Sequence, residues 1–237
     1  GGCDLFVVST NKEKQTIVEN FEYEPDEVIN TGLPRWDVLK DKSQGKREIL
    51  IMPTWRNWLD SVPDKDFEES DYFRHYMGLL NSERLNQILE KYDLEVNFYL
   101  HAKFQEYADT FKSISKRIHL ISFGEVAVNE MLMRCRMLIT DYSSVCWDIL
   151  YQDKPSLFYQ FDIEKYNEAH GSYIDMETEL FGDRAATQEQ LLDYLEETVQ
   201  NDFRLKPEYE KMRGEYLQFK DHEHSRHICE EIKKRFH

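Results

Sequence analysis

Met137-Leu138-Ile139-Thr140-Asp141-Tyr142-Ser143-Ser144-Val145-Cys146-Trp147-Asp148 is the stretch around which the rest of the chain organises. Its apolar opening reads as a buried parallel strand. The run then breaks into Thr140-Asp141-Tyr142-Ser143-Ser144, and from Val145 the spacing becomes helical. A strand that ends in hydroxyl residues at the start of a helix makes an anion site. The first backbone N–H groups of that helix lack partners, and its dipole places partial positive charge there. Ser143 and Ser144 would add hydroxyl donors to a phosphate oxygen. The same residues also suit a plain N-cap, and the stretch alone leaves both readings open.

Upstream, Leu5–Ser9 reads as a strand that begins almost at once, so further sequence is expected before Gly1. Lys12–Phe21 reads as a helix and Val28–Asn30 as a second short strand. Thr31-Gly32-Leu33-Pro34-Arg35-Trp36-Asp37 breaks the chain, and Asp37 suits a short helix start. Lys40–Lys46 is a polar linker and the expected domain boundary. Glu48–Met52 forms the next strand, ending in Pro53-Thr54-Trp55-Arg56, where Thr54 and Arg56 point toward the crevice in which open α/β sheets bind ligands. Asn57–Ser70 reads as an acidic loop and Asp71–Tyr92 as one amphipathic helix. Leu94–Leu100 is a strand that delivers His101 to a helix start, a position suited either to acid/base chemistry or to a structural role. Strands at 118–121, 137–140 and 156–159 alternate with helices at 126–135 and 145–150. Asp162–Gly182 reads as loop, and three closing helices follow. This rhythm predicts a doubly wound parallel sheet with Thr54, His101, Ser143 and Ser144 at one carboxyl edge.

Composition excludes several classes. Hydrophobic residues make up 41% and aromatics 14%, enough for a packed core. The formal charge of −16, from 46 acidic against 30 basic residues, disfavours nucleic acid as a partner. No apolar run is long enough to cross a membrane. Cys3, Cys135, Cys146 and Cys229 are scattered and read as reduced thiols. His222, His224 and His227 have no evident third and fourth metal ligand, so they read as the solvated start of a helix and no metal is expected. Glycine-rich dinucleotide, Walker A and Gly-x-Ser-x-Gly signatures are all missing.

Taken in order, 31–37, Met52-Pro53-Thr54-Trp55-Arg56, Leu100-His101 and 138–148 resemble the CDP-glycerol glycerophosphotransferase family, the teichoic-acid and capsule polymerases and primases. Lys154-Pro155 through Tyr166, and His170-Gly171-Ser172-Tyr173-Ile174-Asp175, continue the likeness. The resemblance implies a Rossmann-like, GT-B type carboxyl-terminal domain, with residues 1–40 ending an amino-terminal, acceptor-side domain and 41–237 forming the donor-binding domain. It implies transfer of glycerol phosphate from CDP-glycerol, or of a related CDP-alditol's phosphate, to a hydroxyl of a polymer or lipid-linked primer, releasing CMP. In this reading His101 is catalytic, a general base toward the acceptor hydroxyl. Arg35, Thr54, Arg56, Thr140, Ser143, Ser144 and His170 hold the donor's phosphates and nucleotide. No cofactor is implied beyond the substrate. The location is cytoplasmic, peripheral at the inner face of the membrane, with membrane contact left to parts outside this chain. Three departures stand out. The family's amino-terminal His-Gly motif is not in this chain, Ala102 follows His101 where Pro is frequent, and His170 stands where an Arg before Gly is usual. On that ground the chain alone is not expected to complete a productive cleft. The competing readings are a donor domain for another nucleotide sugar and a non-catalytic nucleotide-binding domain.

Overall fold

The computed structural model describes residues 2–236; Gly1, before which further sequence is expected, lies outside them. In chain order the elements are β1 (Phe6–Val8), α1 (Asn11–Asn20), β2 (Val28–Asn30), β3 (Glu48–Ile51), α2 (Asp64–Glu68), α3 (Asp71–Leu80), α4 (Glu83–Lys91), β4 (Glu95–Tyr99), β5 (Ile118–Ile121), α5 (Val128–Arg134), β6 (Met137–Thr140), α6 (Val145–Tyr151), β7 (Ser156–Tyr159), α7 (Ile163–Ala169), β8 (Asp183–Ala185), α8 (Gln188–Gln200), α9 (Pro207–Tyr216) and α10 (His224–Phe236), with 3-10 segments at 34–38, 57–59 and 102–110. They form two compact units, residues 1–40 with 206–237, and residues 41–205. The chain therefore divides after residue 40, and the last two helices group with the first segment rather than with 41–205.

The 41–205 unit is a six-stranded, wholly parallel sheet in the order β5-β4-β3-β6-β7-β8. The chain winds outward from β3 to β5, returns to lay β6 beside β3, and winds out the other way. The switch point thus lies between β3 and β6, where Ile49, Leu50 and Ile51 pair with Met137, Leu138 and Ile139. Alternate residues Ile49, Ile51, Val96, Phe98, Met137 and Ile139 pack into one cluster with Leu79, Leu85 and Leu89 of α3 and α4 and Leu191 and Leu195 of α8. Burial of that apolar area is the main stabilising term of the unit.

Four details depart from the sequence reading. The 71–92 helix is two helices, because Ser82 accepts the N–H of Leu85 as a new N-cap. At the same break Asn81 turns its carboxamide to Lys112 O and Ile114 N. The 57–70 loop contains α2, and the 162–182 loop contains α7. β8 follows Gly182, where an added Cβ would lie 2.1 Å from Ser156 O, so only glycine lets the chain come this close to β7.

In the other unit β1 and β2 pair in parallel and α1 packs beside them. Of the trio His222, His224 and His227, read as a solvated helix start, His222 is exposed and His227 half-buried, but His224 is not solvated. His224 is fully buried against Trp36 and its Nδ1 lies 2.8 Å from Thr31 O. Asp37 accepts the N–H groups of His224 (2.7 Å) and Ser225 (3.0 Å), capping α10 from 187 positions away. Although burial pushes the Asp37 carboxyl up, the Ser225 and His224 hydrogen bonds hold it below its ordinary value. Gly32 sits at φ +71°, and a Cβ there would lie 2.2 Å from His224 Nδ1. Gly45 has the same φ with nothing within 4 Å, so it isolates the backbone cost. Gly32→Ala is expected to lower stability by about 1–3 kcal/mol more than Gly45→Ala, the usual cost of overpacking a tight site. Thermal unfolding of the two variants side by side checks this; equal shifts would show that the His224 contact yields freely.

Candidate functional site

Because every strand of the 41–205 unit runs the same way, the segments after β3, β4, β6 and β7 all emerge at one edge. That edge carries Thr54, Trp55 and Arg56 after β3, His101 after β4, Tyr142, Ser143 and Ser144 after β6, and Asp162 after β7. Thr54, His101, Ser143 and Ser144 therefore come together as the sequence reading expects.

Arg56 organises the edge. Its side chain is fully buried, and its Nε and Nη2 donate to Asp162 Oδ2 and Oδ1 at 2.7 and 3.0 Å. Nη2 also lies 2.9 Å from Asp141 Oδ2, and Nη1 donates to Thr54 O at 2.7 Å. The rings of Tyr142, Tyr72 and Tyr166 stand 4.8, 5.3 and 5.4 Å from the guanidinium carbon. Burial pulls the guanidinium pKa down, but Asp141 and Asp162 more than reverse this, so the charge stays firmly on. Arg56 was expected to contact donor phosphate. Its N–H groups are instead spent on two carboxylates and a carbonyl, and what it does is join three loops.

Asp141 completes the junction. Its Oδ1 accepts the N–H groups of Thr54 (2.8 Å) and Tyr142 (2.6 Å), and its Oδ2 accepts the Tyr76 hydroxyl (3.1 Å). Tyr142 OH donates to Asp162 at 3.0 Å, and burial drives its phenol far above the ordinary value. Thr140, also expected on the donor, is buried with Oγ1 donating to Met52 O at 2.7 Å, so its hydroxyl stitches β6 to β3. Ser144 occupies the N-cap position of α6 but forms no side-chain cap bond. The plain-cap reading of that serine is therefore not realised, and the residue is exposed.

His101 starts the 102–110 segment, with Nδ1 accepting the Lys103 N–H at 3.2 Å. Burial lowers its pKa below 6.5, the Lys103 charge lowers it further, and Asp141 only partly offsets both. The ring is thus neutral at neutral pH. In a neutral imidazole whose Nδ1 accepts, the proton resides on Nε2. A continuous run of rings links His101 to the serines: His101 stacks on Trp55 (6.4 Å), Trp55 meets His170 edge-on (5.9 Å), His170 stacks on Tyr166 (4.8 Å), and Tyr166 stacks on Tyr142 (3.6 Å). His170 therefore joins the site as an aromatic wall. Arg35 lies in the other unit, exposed in the 34–38 segment.

The sequence reading missed Asp141, Asp162, Tyr142, Tyr166 and Trp55 as contributors. Asp141, Asp162 and Tyr142 are carried by loops and Tyr166 by α7, and their closeness is tertiary. Trp55 Nε1 and Thr54 Oγ1 are buried with no hydrogen-bond partner among the described residues. Among the described residues one group has metal-compatible spacing, Asp221, Glu223 and His227, with ligand atoms within 4.8 Å; it lies in the other unit, and Arg226 holds Glu223.

Residues 2–234 match the family described as CDP-Glycerol:Poly(glycerophosphate) glycerophosphotransferase. The chain belongs to this family. It is 30% identical over 231 residues to the minor teichoic acid biosynthesis protein GgaB of Bacillus subtilis (strain 168), covering 92% of this chain and 25% of that protein. It is 26% identical over 254 residues to the teichoic acid glycerol-phosphate transferase of Staphylococcus aureus (strain NCTC 8325 / PS 47), covering 97% of this chain and 60% of that one. The chain thus spans between a quarter and about three fifths of these relatives. Its fold matches solved structures of the wall teichoic acid polymerase TagF, with a TM-score of 0.73 at 20% identity over 98% of this chain and 57% of that chain. It also matches a UDP-N-acetylglucosamine 2-epimerase from Listeria monocytogenes described as putative, with a TM-score of 0.60 at 19% identity over 99% of this chain and 60% of that chain. The doubly wound sheet is of the GT-B type these neighbours share.

Replacing Arg56 by Met leaves two buried carboxylates without their cation. That is expected to cost about 3–5 kcal/mol, the range for breaking a buried ion pair from one side. Urea unfolding measures it; a loss under about 1 kcal/mol, the range of exposed pairs, would show that the junction is not what holds the loops.

Proposed function

We propose that this chain is the donor-binding portion of an enzyme that transfers glycerol phosphate, or a related alditol phosphate, from CDP-glycerol to a hydroxyl of a teichoic-acid-type polymer or lipid-linked primer. The observation that carries the reading is the gathering of His101, Thr54, Ser143 and Ser144 at the switch-point edge of a chain belonging to this family. The acceptor hydroxyl gives up its proton to solvent water as its oxygen attacks the glycerol-side phosphorus, the bond from that phosphorus to the bridging oxygen breaks, and CMP leaves with that oxygen. Catalysis of such a step is chiefly positioning and charge stabilisation. Ser143 and Ser144 hold the diphosphate through their hydroxyls, and Thr54 Oγ1 and Trp55 Nε1 take further oxygens. The reading uses no resident cofactor. It places the work at the inner face of the cell membrane, where a lipid-linked acceptor is met; among the described residues no helix is long and apolar enough to cross a membrane.

His101 takes a role different from the base that the resemblance implies. With Nδ1 held by Lys103, the neutral ring presents Nε2–H, a donor toward a phosphoryl or leaving-group oxygen. Acting as a base through Nε2 would first require breaking that cap.

Two outcomes follow. Ser143→Ala with Ser144→Ala should weaken CDP-glycerol or CMP binding by about 1–3 kcal/mol, the range for hydrogen bonds to a charged group, with cytidine affinity unmoved and a chelator without effect. Calorimetry reads this directly, and an unaltered affinity in the double variant would remove the serines from the site. His101→Ala should lower transfer by about 10²-fold or more while leaving the melting temperature in place. His101→Gln, whose amide can donate as Nε2–H does, should recover about tenfold of that loss, the worth of one charge-assisted hydrogen bond. Equal losses in both variants would return His101 to the role of base.

A further inference from the structure

The unit formed by residues 1–40 and 206–237 carries its own cavity, of about 430 Å³, at the carboxyl end of β2 and the first turn of α1. This is the edge at which parallel sheets bind ligands. Three carboxamides meet there. Asn30 Nδ2 donates to Asn11 Oδ1 at 3.0 Å and to Gln218 Oε1 at 3.1 Å, while Asn30 Oδ1 accepts the Gly32 N–H at 3.3 Å. Asn11 and Gln218 use one lone pair of each amide oxygen in this relay, which leaves their NH2 groups and the second lone pairs to a ligand. His227 lines the same cavity; its Nε2 pairs with Asp221 at 3.1 Å, and its Nδ1 is buried without a partner. A buried polar atom left unmet costs stability, which a ligand hydroxyl would restore.

The charges select the ligand. Of the two carboxylates on the wall, Glu230 is held by Arg226 and Glu231 by Lys234, and Lys14 adds one ammonium. With Lys234 also on the wall, two ammonium groups match two carboxylates, so the cavity offers a phosphate no net positive charge. An uncharged group that donates and accepts at each of several adjacent positions would satisfy the amides and the imidazole together, with its C–H face on Phe219 and Ile29. Those are the properties of vicinal hydroxyls.

We propose that this cavity binds the hydroxyls of a short alditol, of glycerol or ribitol size. On the function proposed above, which this step extends, its occupant is an alditol unit of the acceptor; the binding itself stands without that reading.

The test is an NMR titration of the whole chain with glycerol, ribitol and glycerol 3-phosphate, following the His227 ring and fitting each Kd. Saturable ribitol binding that shifts His227 is expected. Asn11→Ala and Gln218→Ala, both at exposed positions, should each weaken it about threefold to tenfold, the worth of one lost hydrogen bond, with unchanged circular dichroism. CDP-glycerol affinity should stay the same in both variants. No saturable binding of either polyol, equal affinity in both variants, or binding of glycerol 3-phosphate alone would each overturn the proposal. Loss of CDP-glycerol binding with ribitol binding intact would count only against the donor site.

Discussion

One buried cation holds the ligand edge together. Arg56 sits at zero exposure between Asp141 and Asp162, which arrive on loops after different strands. Removing a guanidinium and two carboxylates from water is costly, and mutual attraction repays it only when the remaining hydrogen bonds are made. Here they are: all three guanidinium nitrogens donate, and the oxygens of Asp141 also accept two backbone N–H groups and a tyrosine hydroxyl. Such a cluster adds little net stability over an apolar core, but it admits one arrangement of its loops. Asp141 and Tyr142 lead straight into Ser143 and Ser144, so the geometry of the serines is inherited from Arg56.

What could be read from the chain beforehand was whatever is local. The five apolar strands, their shared direction and the delivery of His101 and the serines to one edge follow from periodicity and from helix–strand alternation. The partners of those residues do not, since nothing near Arg56 in sequence announces Asp162, 106 positions on. An arginine at a strand's carboxyl end looks the same whether it meets phosphate or a buried carboxylate. Thr140 misleads in the same way, because its hydroxyl serves the neighbouring strand. The histidines after residue 221 looked solvated because polar residues surround them, yet Gly32 and Trp36 make a slot that fits His224. β8 escaped because three residues with Asp and Arg among them carry no strand signal; the signal was Gly182, legible only beside Ser156.

Spending Arg56 internally changes the electrostatics of the edge. One guanidinium against two carboxylates leaves the cluster with a net negative charge, in a protein whose formal charge is already −16. On the function proposed above, a diphosphate donor approaching Ser143 meets a field that opposes it unless other cations intervene. Two are poised to do so. Lys103 Nζ stands 5.5 Å from the Trp55 ring and Lys165 Nζ 4.8 Å from the Trp58 ring, each on an aromatic face of the site. Both are exposed; Lys103 also pairs with Asp60 at 3.4 Å, and the Trp55 ring beneath it belongs to the run that joins His101 to Tyr142. A lysine held over a ring keeps its charge and its three donors while giving up little hydration. The division of labour is then physical. On the function proposed above, the buried arginine, always charged and rigidly forked, fixes the loops, and the exposed ammonium groups meet the anion. Because those cations are solvent-facing, their pull is screened over about 8–10 Å at physiological salt. Donor affinity should then depend on ionic strength in a way that a phosphate clasped by a buried arginine would not.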